Sequence, residues 1–447
     1  MAKSSPAPPL ADIVTRMNIQ GKSAAEIFDC VRALTQSGQA VAGDALPPVR
    51  ELAAALSVNR NTVAAAYRRL VTAGIALTQG RLGTVIRNQY APGEQEGALA
   101  GSPLLDLASG NPNPRWLPDL AAALAARPYR ARLYGEPTVN AALEQHVRGW
   151  LAPDCPEGFE VDLTHGAVDA LERLLGLDLL AGDKVAVENP CFLSSINMLR
   201  NAGLQAIGVG VDAEGMLADQ LEAALARGAQ AVIVTPRAHN PTGCSLSEKR
   251  ARALARVLAK YPNVLVIVDD HFSLLSGAAY HSVIPRGAQR WALVRSLAKT
   301  LGPDIRLAAV ASDPATSRQL RRRLASGTGW VSHLLQDIAE AALTSPANVT
   351  LFAQARDDYL ARRRQLEAAL RAQGIDHVAA GDGLNLWIPV RGDDRAIALS
   401  LARQGWLVRH GEGFSAGDEV KGLRITISTI DAEGCQRLAL HIKQSIG

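Results

Sequence analysis

The sequence predicts a multi-domain α/β protein, and three observations lead to this prediction. The chain of 447 residues is longer than a single hydrophobic core usually serves. Its composition, 48% hydrophobic and 20% charged, is that of an ordinary folded protein. Continuous apolar runs at 184–187, 231–234, 264–268 and 307–310 alternate with stretches of helical periodicity. This alternation is typical of a sheet that helices cover on both faces.

The sequence argues against a membrane protein and against a secreted, disulfide-rich protein. No apolar run reaches the roughly 18 residues that a membrane span requires. The first residues lack the apolar core of a secretion signal. The five cysteines lie far apart and form no Cys-x-x-Cys pair. We therefore expect reduced thiols, a cytoplasmic location and no cysteine zinc site.

The N-terminal part of the chain has the order of elements of a winged helix-turn-helix. Helical spacing of apolar residues begins behind Ser23-x-x-Glu26, a pattern similar to a capping box. The predicted elements are helices at 23–37, 49–56 and 60–73, followed by strands at 76–78 and 84–87. Three helices followed by a two-stranded tip indicate a winged helix-turn-helix.

The same part carries the excess positive charge of the protein. Residues 1–90 hold 10 Lys and Arg against 5 Asp and Glu, whereas the whole chain has a net charge of only +4. Such an asymmetry indicates either nucleic-acid binding or a merely solvated basic face, and charge alone does not decide between them.

Candidate DNA contacts lie at the start of the third predicted helix, which in a helix-turn-helix enters the major groove. There Arg60 suits guanine, Asn61 suits adenine, and Thr62 suits a phosphate or a thymine methyl group. Arg50 is placed to hold the DNA backbone. Arg81, in the glycine-flanked tip of the wing, is placed to approach it closely. Helix capping and protein contacts are the alternatives, because polar residues at a helix start often only cap it.

The motifs of this part resemble the GntR-type DNA-binding domain. They are Leu46-Pro-Pro-Val-Arg-Glu-Leu-Ala53, Val58-Asn-Arg-Asn-Thr-Val63, Tyr67-Arg-Arg-Leu70, Ala73-Gly74 and Gly83-Thr84-Val85. The resemblance implies that the arginines Arg50 and Arg60, with Thr62 and Gly83, contact double-stranded DNA at an operator. It therefore favours DNA binding over protein contacts.

Beyond the winged part, composition predicts a linker and a second domain. The linker, at 88–104, is short of bulky apolar residues and rich in Ala, Gly and Pro. We expect the helix-turn-helix domain to span 18–87 and the second domain to span 105–447. Within the second domain we expect a large α/β part at about 105–345 and a smaller part at about 346–447.

Several predicted strands of the second domain end in polar residues, at the place where open α/β sheets bind ligands. Asp269 ends one strand, Ser296-x-x-Lys299 ends another, and Asn240 follows a third. Pyridoxal phosphate requires a lysine for a Schiff base and a carboxylate for its ring nitrogen. We therefore identify Lys299 as the candidate nucleophile, Asp269 as the partner of the ring nitrogen and Asn240 as the partner of the ring hydroxyl.

The phosphate and the ring face of such a cofactor also have candidate residues. Ser296, Arg306 and the backbone N–H groups at Gly166 and Ala167, where a helix is predicted to begin, suit the phosphate. Phe192 suits stacking on the ring. Each residue alone has a structural alternative, such as a surface lysine, a helix cap, a core aromatic or a salt-bridge arginine. Their joint occurrence favours the cofactor site.

This order of motifs resembles the fold-type I, aspartate-aminotransferase-like enzymes over residues 105–447. The motifs are Tyr134-Gly-Glu-Pro137, Gly166-Ala167, Asn189-Pro190-x-Phe192, Asn240-Pro-Thr-Gly243, Asp269-Asp270, Ser296-x-x-Lys299-x6-Arg306 and Arg424. The resemblance implies pyridoxal 5'-phosphate as cofactor, with Lys299 as the catalytic Schiff-base lysine. It further implies that Tyr134 reaches the phosphate of the partner subunit of a homodimer. Arg424 would bind the carboxylate of an amino-acid effector.

Both parts together resemble the MocR subgroup of GntR regulators. Stretches Asp106–Asn113 and Tyr359–Arg364 match those typical of the subgroup, and the segment Asn18–Thr62 resembles regulators of vitamin B6 salvage. The resemblance implies a homodimeric transcriptional regulator whose helix-turn-helix domains are exchanged between partners. It would sense pyridoxal phosphate, an amino acid or a B6 vitamer.

Two departures from the family pattern bear on catalysis. The family usually has a tyrosine two residues after the ring-nitrogen aspartate, where this chain has His271, and Val139 replaces a glycine. An imidazole in place of a phenol changes the surroundings of the ring, which cofactor binding tolerates better than turnover does. We therefore expect a sensing regulator. An aminotransferase with a DNA-binding tether is the alternative, and a protein-interaction adaptor is the third hypothesis.

Overall fold

The computed structural model of the chain describes residues 17–41, 43–79, 83–86, 96–97, 101–125, 130–376 and 381–446. These residues fall into two compact units. The N-terminal unit holds the chain up to residue 93 together with two short later segments, 180–183 and 199–205. The C-terminal unit holds the remainder and begins at residue 94.

The N-terminal unit contains the predicted winged helix-turn-helix. Its elements are α1 (Ala24–Gln36), α2 (Val49–Leu56), α3 (Arg60–Thr72), β1 (Ala76–Gln79) and β2 (Gly83–Ile86). Ser23 caps α1, since its side chain accepts from the backbone N–H of Glu26. The Glu26 carboxylate accepts from the N–H of Lys22, whereas a capping box would use that of Ser23. The predicted elements are confirmed to within one residue at every end.

A small apolar core holds the three helices together. Its buried side chains recur one or two turns apart on α1 and α3, and the core includes Ile27, Val31, Leu52, Val63 and Leu70. Tyr67 is also buried, and its hydroxyl donates to the backbone carbonyl of Pro47 at 2.7 Å. This bond ties α3 to the segment that precedes α2, and so fixes the position of the exposed start of α3.

The C-terminal unit alternates strands and helices, as predicted. In chain order they are β3 (Leu105–Asp106), α4 (Leu120–Ala125), α5 (Ala141–Leu151), β4 (Glu160–Thr164), α6 (Ala167–Leu175), β5 (Lys184–Asn189), α7 (Leu193–Asn201), β6 (Gln205–Asp212), β7 (Gly215–Met216), α8 (Ala218–Ala226), β8 (Ala229–Val234), α9 (Glu248–Leu258), β9 (Leu265–Asp269), β10 (Trp291–Ser296), β11 (Ala308–Ser312), α10 (Pro314–Ala325), α11 (His333–Thr344), α12 (Pro346–Ala372), β12 (Asn385–Pro389), α13 (Asp394–Arg403), β13 (Trp406–Leu407), β14 (Arg409–His410), β15 (Gly422–Thr426) and α14 (Ala432–Ile446). The four apolar runs correspond to β5, β8, β9 and β11.

An eight-stranded sheet, in the order β4-β11-β10-β9-β8-β5-β6-β7, forms the larger part of this unit. Its central strands are parallel. Strand β10 pairs in parallel with β9, β9 with β8, and β8 with β5. Strands β11 and β4 extend one side antiparallel. Strands β9 and β10 are buried along their whole length, as expected where helices cover both faces.

A three-stranded antiparallel sheet, β12-β15-β14, belongs to the smaller C-terminal part. Helices α12 and α13 both pack against α14. The longest helix of this part is α12, which begins at Pro346 and has 27 residues. Within the described ranges, no helix is both long and apolar enough to span a membrane.

Candidate functional site

The start of α3 presents a polar and basic surface. Arg60 and Asn61 are exposed and Thr62 is half-buried in its first turn. Arg50 is exposed in the first turn of α2. The side chain of Asn59 accepts from the backbone N–H of Asn61 at 2.8 Å. Asn59 is thus the helix cap that the alternative interpretation foresaw, while the side chains of Arg50, Arg60 and Asn61 point to solvent.

The wing and the end of α3 carry further exposed residues of this unit. Gly83 has φ +75°, and an added Cβ would meet no described atom within 4 Å, so its backbone is open to close approach. The other predicted wing residue, Arg81, lies outside the described residues. Arg68 and Arg69 are both exposed, and the guanidinium of Arg69 lies over the ring of Phe28, 4.9 Å from its centroid. This contact between Arg69 and Phe28 was not evident from the sequence.

Three neighbouring strands bring the predicted cofactor residues to one edge of the large sheet. Asp269 is the last residue of β9, Ser296 is the last residue of β10, and Asn240 follows β8. Because β8, β9 and β10 run parallel side by side, their carboxyl ends are adjacent. Lys299 lies three residues beyond β10.

Asp269 is a buried carboxyl group with an unsatisfied oxygen. It is 6% exposed, and its Oδ1 has no hydrogen-bond partner among the described residues. Burial, and then the charge of Asp270, raise the pKa of Asp269 to about 7. Asp270 is satisfied differently, since it accepts from Arg237 at 2.8 Å and from Arg295 at 2.9 Å. Of the two adjacent aspartates, only Asp269 retains an acceptor for a ligand.

Lys299 is a half-buried amine whose pKa is lowered toward physiological pH. Its Nζ donates to the backbone carbonyl of Gly110 at 2.5 Å. Burial lowers the pKa of Lys299 to about 8, although the nearby carboxylate of Glu96 opposes this shift. An amine with this pKa is partly neutral at physiological pH, and the neutral form is the nucleophile.

A buried polar group beside Asp269 was missed from the sequence. Glu188 accepts from the backbone N–H and the hydroxyl of Thr235 at 2.7 and 2.9 Å. Its Oε2 lies 3.5 Å from Nε2 of His239. Burial raises the pKa of Glu188 to about 8 and lowers the pKa of His239 to about 3. Both groups are mostly neutral at pH 7, and their adjacency to motif residues was the only signal in the sequence.

Of the predicted phosphate ligands, Arg306 lies beside Gly166 at the start of α6. Gly166 is the N-cap with φ +93°, and a Cβ there would lie 3.1 Å from Nη2 of Arg306. Ala167 is the first residue of α6. The Ser296 hydroxyl accepts from the N–H of Ala298 at 3.2 Å. A guanidinium beside the N-terminus of a helix is an arrangement that favours a phosphate.

The three predicted site residues with aromatic rings differ in their burial and in their contacts. Phe192 is half-buried just before α7. His271 lies two residues after β9, where burial and then the charge of Lys299 lower its pKa to about 4, so its imidazole is neutral. Tyr134 is 91% exposed and meets Trp330 edge-on at 5.7 Å. The role of Tyr134 at the partner's site stays a prediction.

Arg424, on β15, already has a carboxylate partner. Its Nη1 and Nη2 donate to Oε1 and Oε2 of Glu96 at 2.5 and 2.8 Å. Asn240 contacts both residues, donating to Glu96 at 3.0 Å and accepting from Arg424 at 3.1 Å. No motif or periodicity singled out Glu96, because it lies in the predicted linker.

These residues fit pyridoxal phosphate. The Oδ1 of Asp269 is an acceptor for a protonated ring nitrogen, and Lys299 is an amine of suitable pKa at the same sheet edge. Arg306 beside Gly166 fits the phosphate. The donors and acceptors that the cofactor needs are therefore present in this chain.

Comparison with known proteins gives two family matches and close relatives. The bacterial regulatory proteins of the gntR family match residues 23–86, and aminotransferase class I and II matches residues 102–442. The vitamin B6 salvage pathway transcriptional repressor PtsJ of Salmonella typhimurium is 53% identical, over 96% of this chain and 99% of its own. The regulator TauR of Rhodobacter capsulatus is 27% identical, over 91% and 94% of the two chains. The probable rhizopine catabolism regulatory protein MocR of Rhizobium meliloti is 26% identical, over 72% and 71%.

Solved structures resemble the chain in its aminotransferase-like part. Pyrococcus horikoshii kynurenine aminotransferase superposes with a TM-score of 0.70 at 23% identity, covering 78% of this chain and 92% of its own. The multiple substrate aminotransferase of Thermococcus profundus gives a TM-score of 0.71 at 21% identity, with the same coverage of 78% and 92%. The predicted fold-type I architecture is confirmed.

Proposed function

Because this chain belongs to the MocR-type regulators of the GntR family, which join a GntR helix-turn-helix to an aminotransferase-like domain, we propose that it represses genes of vitamin B6 salvage in response to pyridoxal phosphate. The chain is a DNA-binding transcriptional regulator, and its aminotransferase-like domain binds pyridoxal phosphate. The proposal concerns the signal and the target genes. It is supported by the 53% identity to PtsJ, which extends over 96% of the chain.

One structural observation carries the proposal. A buried carboxyl group with an unsatisfied oxygen, Asp269, and an amine of pKa about 8, Lys299, follow adjacent parallel strands. A sensor of pyridoxal phosphate must retain these two groups whether or not it turns over a substrate, because together they hold the ring and its aldehyde carbon.

We assign each site residue a role toward the cofactor. Lys299 would attach it covalently, Asp269 would keep its ring nitrogen protonated, and Asn240 would hydrogen-bond to its ring hydroxyl. The residues that hold the phosphate or cover the ring are Ser296, Arg306, Gly166, Ala167 and Phe192. When bound, the cofactor supplies an electron-withdrawing ring and a carbonyl carbon that reacts with amines. His271, whose imidazole is neutral, would stand in place of the family's usual phenol near the ring hydroxyl.

An active aminotransferase is the less favoured function. The neutral imidazole of His271 lacks the acidic hydroxyl of the family's usual tyrosine, so proton control at the ring is weaker. Incubating the protein with amino acids and 2-oxoglutarate separates the two functions. Repeated conversion of the cofactor absorbance with product formation would identify an enzyme, whereas a regulator gives at most one half-reaction.

We further propose that the protein is a homodimer. Tyr134 and Leu133 are 91% and 72% exposed, and adjacent exposed apolar side chains of this size are expected to be covered by a partner. A second copy would cover them and bring Tyr134 to the partner's phosphate site. Analytical ultracentrifugation of the purified protein tests this assembly.

Footprinting of the promoter regions around the protein's own gene, with and without pyridoxal phosphate, tests the proposed targets. Protection at promoters of B6 salvage genes that strengthens with pyridoxal phosphate is the expected result. Protection confined to unrelated promoters, or indifferent to pyridoxal phosphate, would contradict the proposal.

We expect Arg60→Ala and Arg50→Ala to weaken DNA binding in different ways. Loss of a bidentate contact to guanine by Arg60 should cost about 1–3 kcal/mol on the operator and much less on random DNA. Loss of a phosphate contact by Arg50 should weaken both DNAs alike and reduce the salt dependence. Fluorescence anisotropy at several salt concentrations measures both effects.

Arg115→Ala is the matched control for this pair, because Arg115 is an exposed arginine of the C-terminal unit that lies over the ring of Trp116. It should bind both DNAs as the wild type does. Equal losses of Arg60→Ala on operator and random DNA would place Arg60 on the phosphate backbone instead of a base.

A further inference from the structure

The carboxylate of Glu96 binds Arg424 in the way that an amino-acid carboxylate is expected to bind it. Two parallel hydrogen bonds of 2.5 and 2.8 Å join the two groups, which is the paired geometry of arginine with a carboxylate ligand. Asn240 donates to the same carboxylate at 3.0 Å. In the part of the chain that the structure describes, Glu96 is the only carboxylate in an ion pair with Arg424.

The backbone next to Glu96 is held in place as well. The N–H of Gly97 donates to the carbonyl of Ser109 at 3.1 Å, and the Gly97 carbonyl accepts from Arg409 at 2.9 Å. A Cβ at Gly110 would lie 2.8 Å from Oε2 of Glu96, so a side chain at that position would crowd the carboxylate. The ion pair of its side chain, the backbone bonds of Gly97 and the space beside Gly110 together form a binding site for this glutamate.

Arg424 requires such a partner. Its side chain is 0% exposed, and a buried charge without a counter-charge is strongly destabilising. Burial alone would raise the pKa of Glu96, but the charge and hydrogen bonds of Arg424 hold that pKa below its usual value. Glu96 is therefore ionised at neutral pH and compensates Arg424 from within the chain.

We propose that Glu96 is an internal ligand of Arg424, and that an external carboxylate, such as that of an α-amino acid, binds there only by displacing it. This inference rests on the proposed function, in which the aminotransferase-like domain is a sensor. Pyridoxal phosphate carries no carboxylate, so it has no group that replaces the carboxylate of Glu96 on Arg424. An amino acid that reacts at the cofactor competes with Glu96 through its carboxylate.

Displacement of Glu96 changes the tether of the helix-turn-helix domain. Glu96 lies between β2, the last strand of the helix-turn-helix domain, and β3, so its displacement removes a side-chain attachment of the segment that connects the two domains. Occupation of Arg424 by an external carboxylate is thereby coupled to the freedom of the DNA-binding domain.

The test compares wild type with Glu96→Gln in the full-length protein carrying pyridoxal phosphate. The probes are 2-aminoisobutyrate and isopropylamine, which differ in the carboxylate, and the absorbance of the cofactor reports their binding. Without the internal competitor, the apparent Kd of 2-aminoisobutyrate should fall about 10-fold or more, while that of isopropylamine should change less than about 2-fold. Glu94→Gln, which removes the same charge from the linker, is the matched control and should resemble wild type.

Hydrogen exchange provides a readout that does not depend on the cofactor. In protein without pyridoxal phosphate, the Gly97 amide should exchange about 10-fold or more faster in Glu96→Gln than in wild type or Glu94→Gln. Unchanged exchange at Gly97, or equal gains in affinity for both probes, would overturn the inference. Failure of the wild type to bind pyridoxal phosphate would instead overturn the proposed function, and the exchange measurement would still decide the role of Glu96.

Discussion

Replacing Lys299 by alanine is expected to abolish covalent attachment of pyridoxal phosphate. In wild type, borohydride reduction should leave a phosphopyridoxyl group on the peptide that contains Lys299, and in Lys299→Ala no peptide should carry it in comparable amount. The reason is the pKa of about 8, which leaves part of this amine neutral where an exposed lysine, with a pKa near 10.4, stays charged. Mass spectrometry of the reduced, digested protein measures the difference.

Lys249→Ala is the control, because Lys249 is an exposed lysine of α9. It should retain the full adduct on Lys299. An adduct of wild-type amount on a different lysine in Lys299→Ala would remove Lys299 from the cofactor site.

The same pKa sets the pH dependence of attachment. The pKa of Lys299 is lowered, so the neutral amine is the minor form below about pH 8 and the major form above it. The initial rate of adduct formation should therefore rise with pH up to about 8 and then level off. A rate that keeps rising toward pH 10 would indicate an ordinary surface lysine.

Asp269→Asn is expected to raise the Kd for pyridoxal phosphate about 10²–10³-fold. The carboxylate of Asp269 and the protonated ring nitrogen would form a buried charge pair, and removing one member of such a pair strongly destabilises the complex. The Oδ1 of Asp269 has no other hydrogen-bond partner among the described residues, so no protein contact is lost with the charge at that atom. Absorbance titration with pyridoxal phosphate measures the change.

Glu188→Gln is the matched control for this variant. Glu188 is also buried beside the site, but its pKa of about 8 means that glutamine resembles the neutral form it already adopts at pH 7. It should bind pyridoxal phosphate within a few-fold of wild type. Comparable losses in both variants would show that any change in this buried region, and not the charge of Asp269, controls affinity.

The central strands of the large sheet were predictable because of their environment. Strands covered on both faces are built from continuous apolar residues, and the parallel strands β5, β8 and β9 and the antiparallel strand β11 followed from this pattern. Strands β4 and β6 did not, since β4 lies at the sheet edge and both mix polar residues or glycine into their sequences. The pattern there is too weak to distinguish a strand from a loop.

The candidate site was predictable where its residues follow neighbouring strands. Asp269 and Lys299 could be expected to meet because the carboxyl ends of parallel strands share one sheet edge. Glu96 could not be expected at Arg424, since 328 positions separate the two residues along the chain. Periodicity and local motifs carry no information about such a pairing. The packing of Arg69 on Phe28 was hidden for the same reason.

Operator titration by fluorescence anisotropy, at fixed salt and with or without pyridoxal phosphate, tests the central claim most directly. The protein should bind its operator about 5–150-fold more tightly with pyridoxal phosphate, a coupling of about 1–3 kcal/mol that must be reciprocal. Tighter binding is expected because a repressor of salvage must act when the cofactor is abundant. Lys299→Ala should lose most of this response. Identical operator affinity in the presence and absence of pyridoxal phosphate would contradict the claim that the aminotransferase-like domain is a sensor of this cofactor.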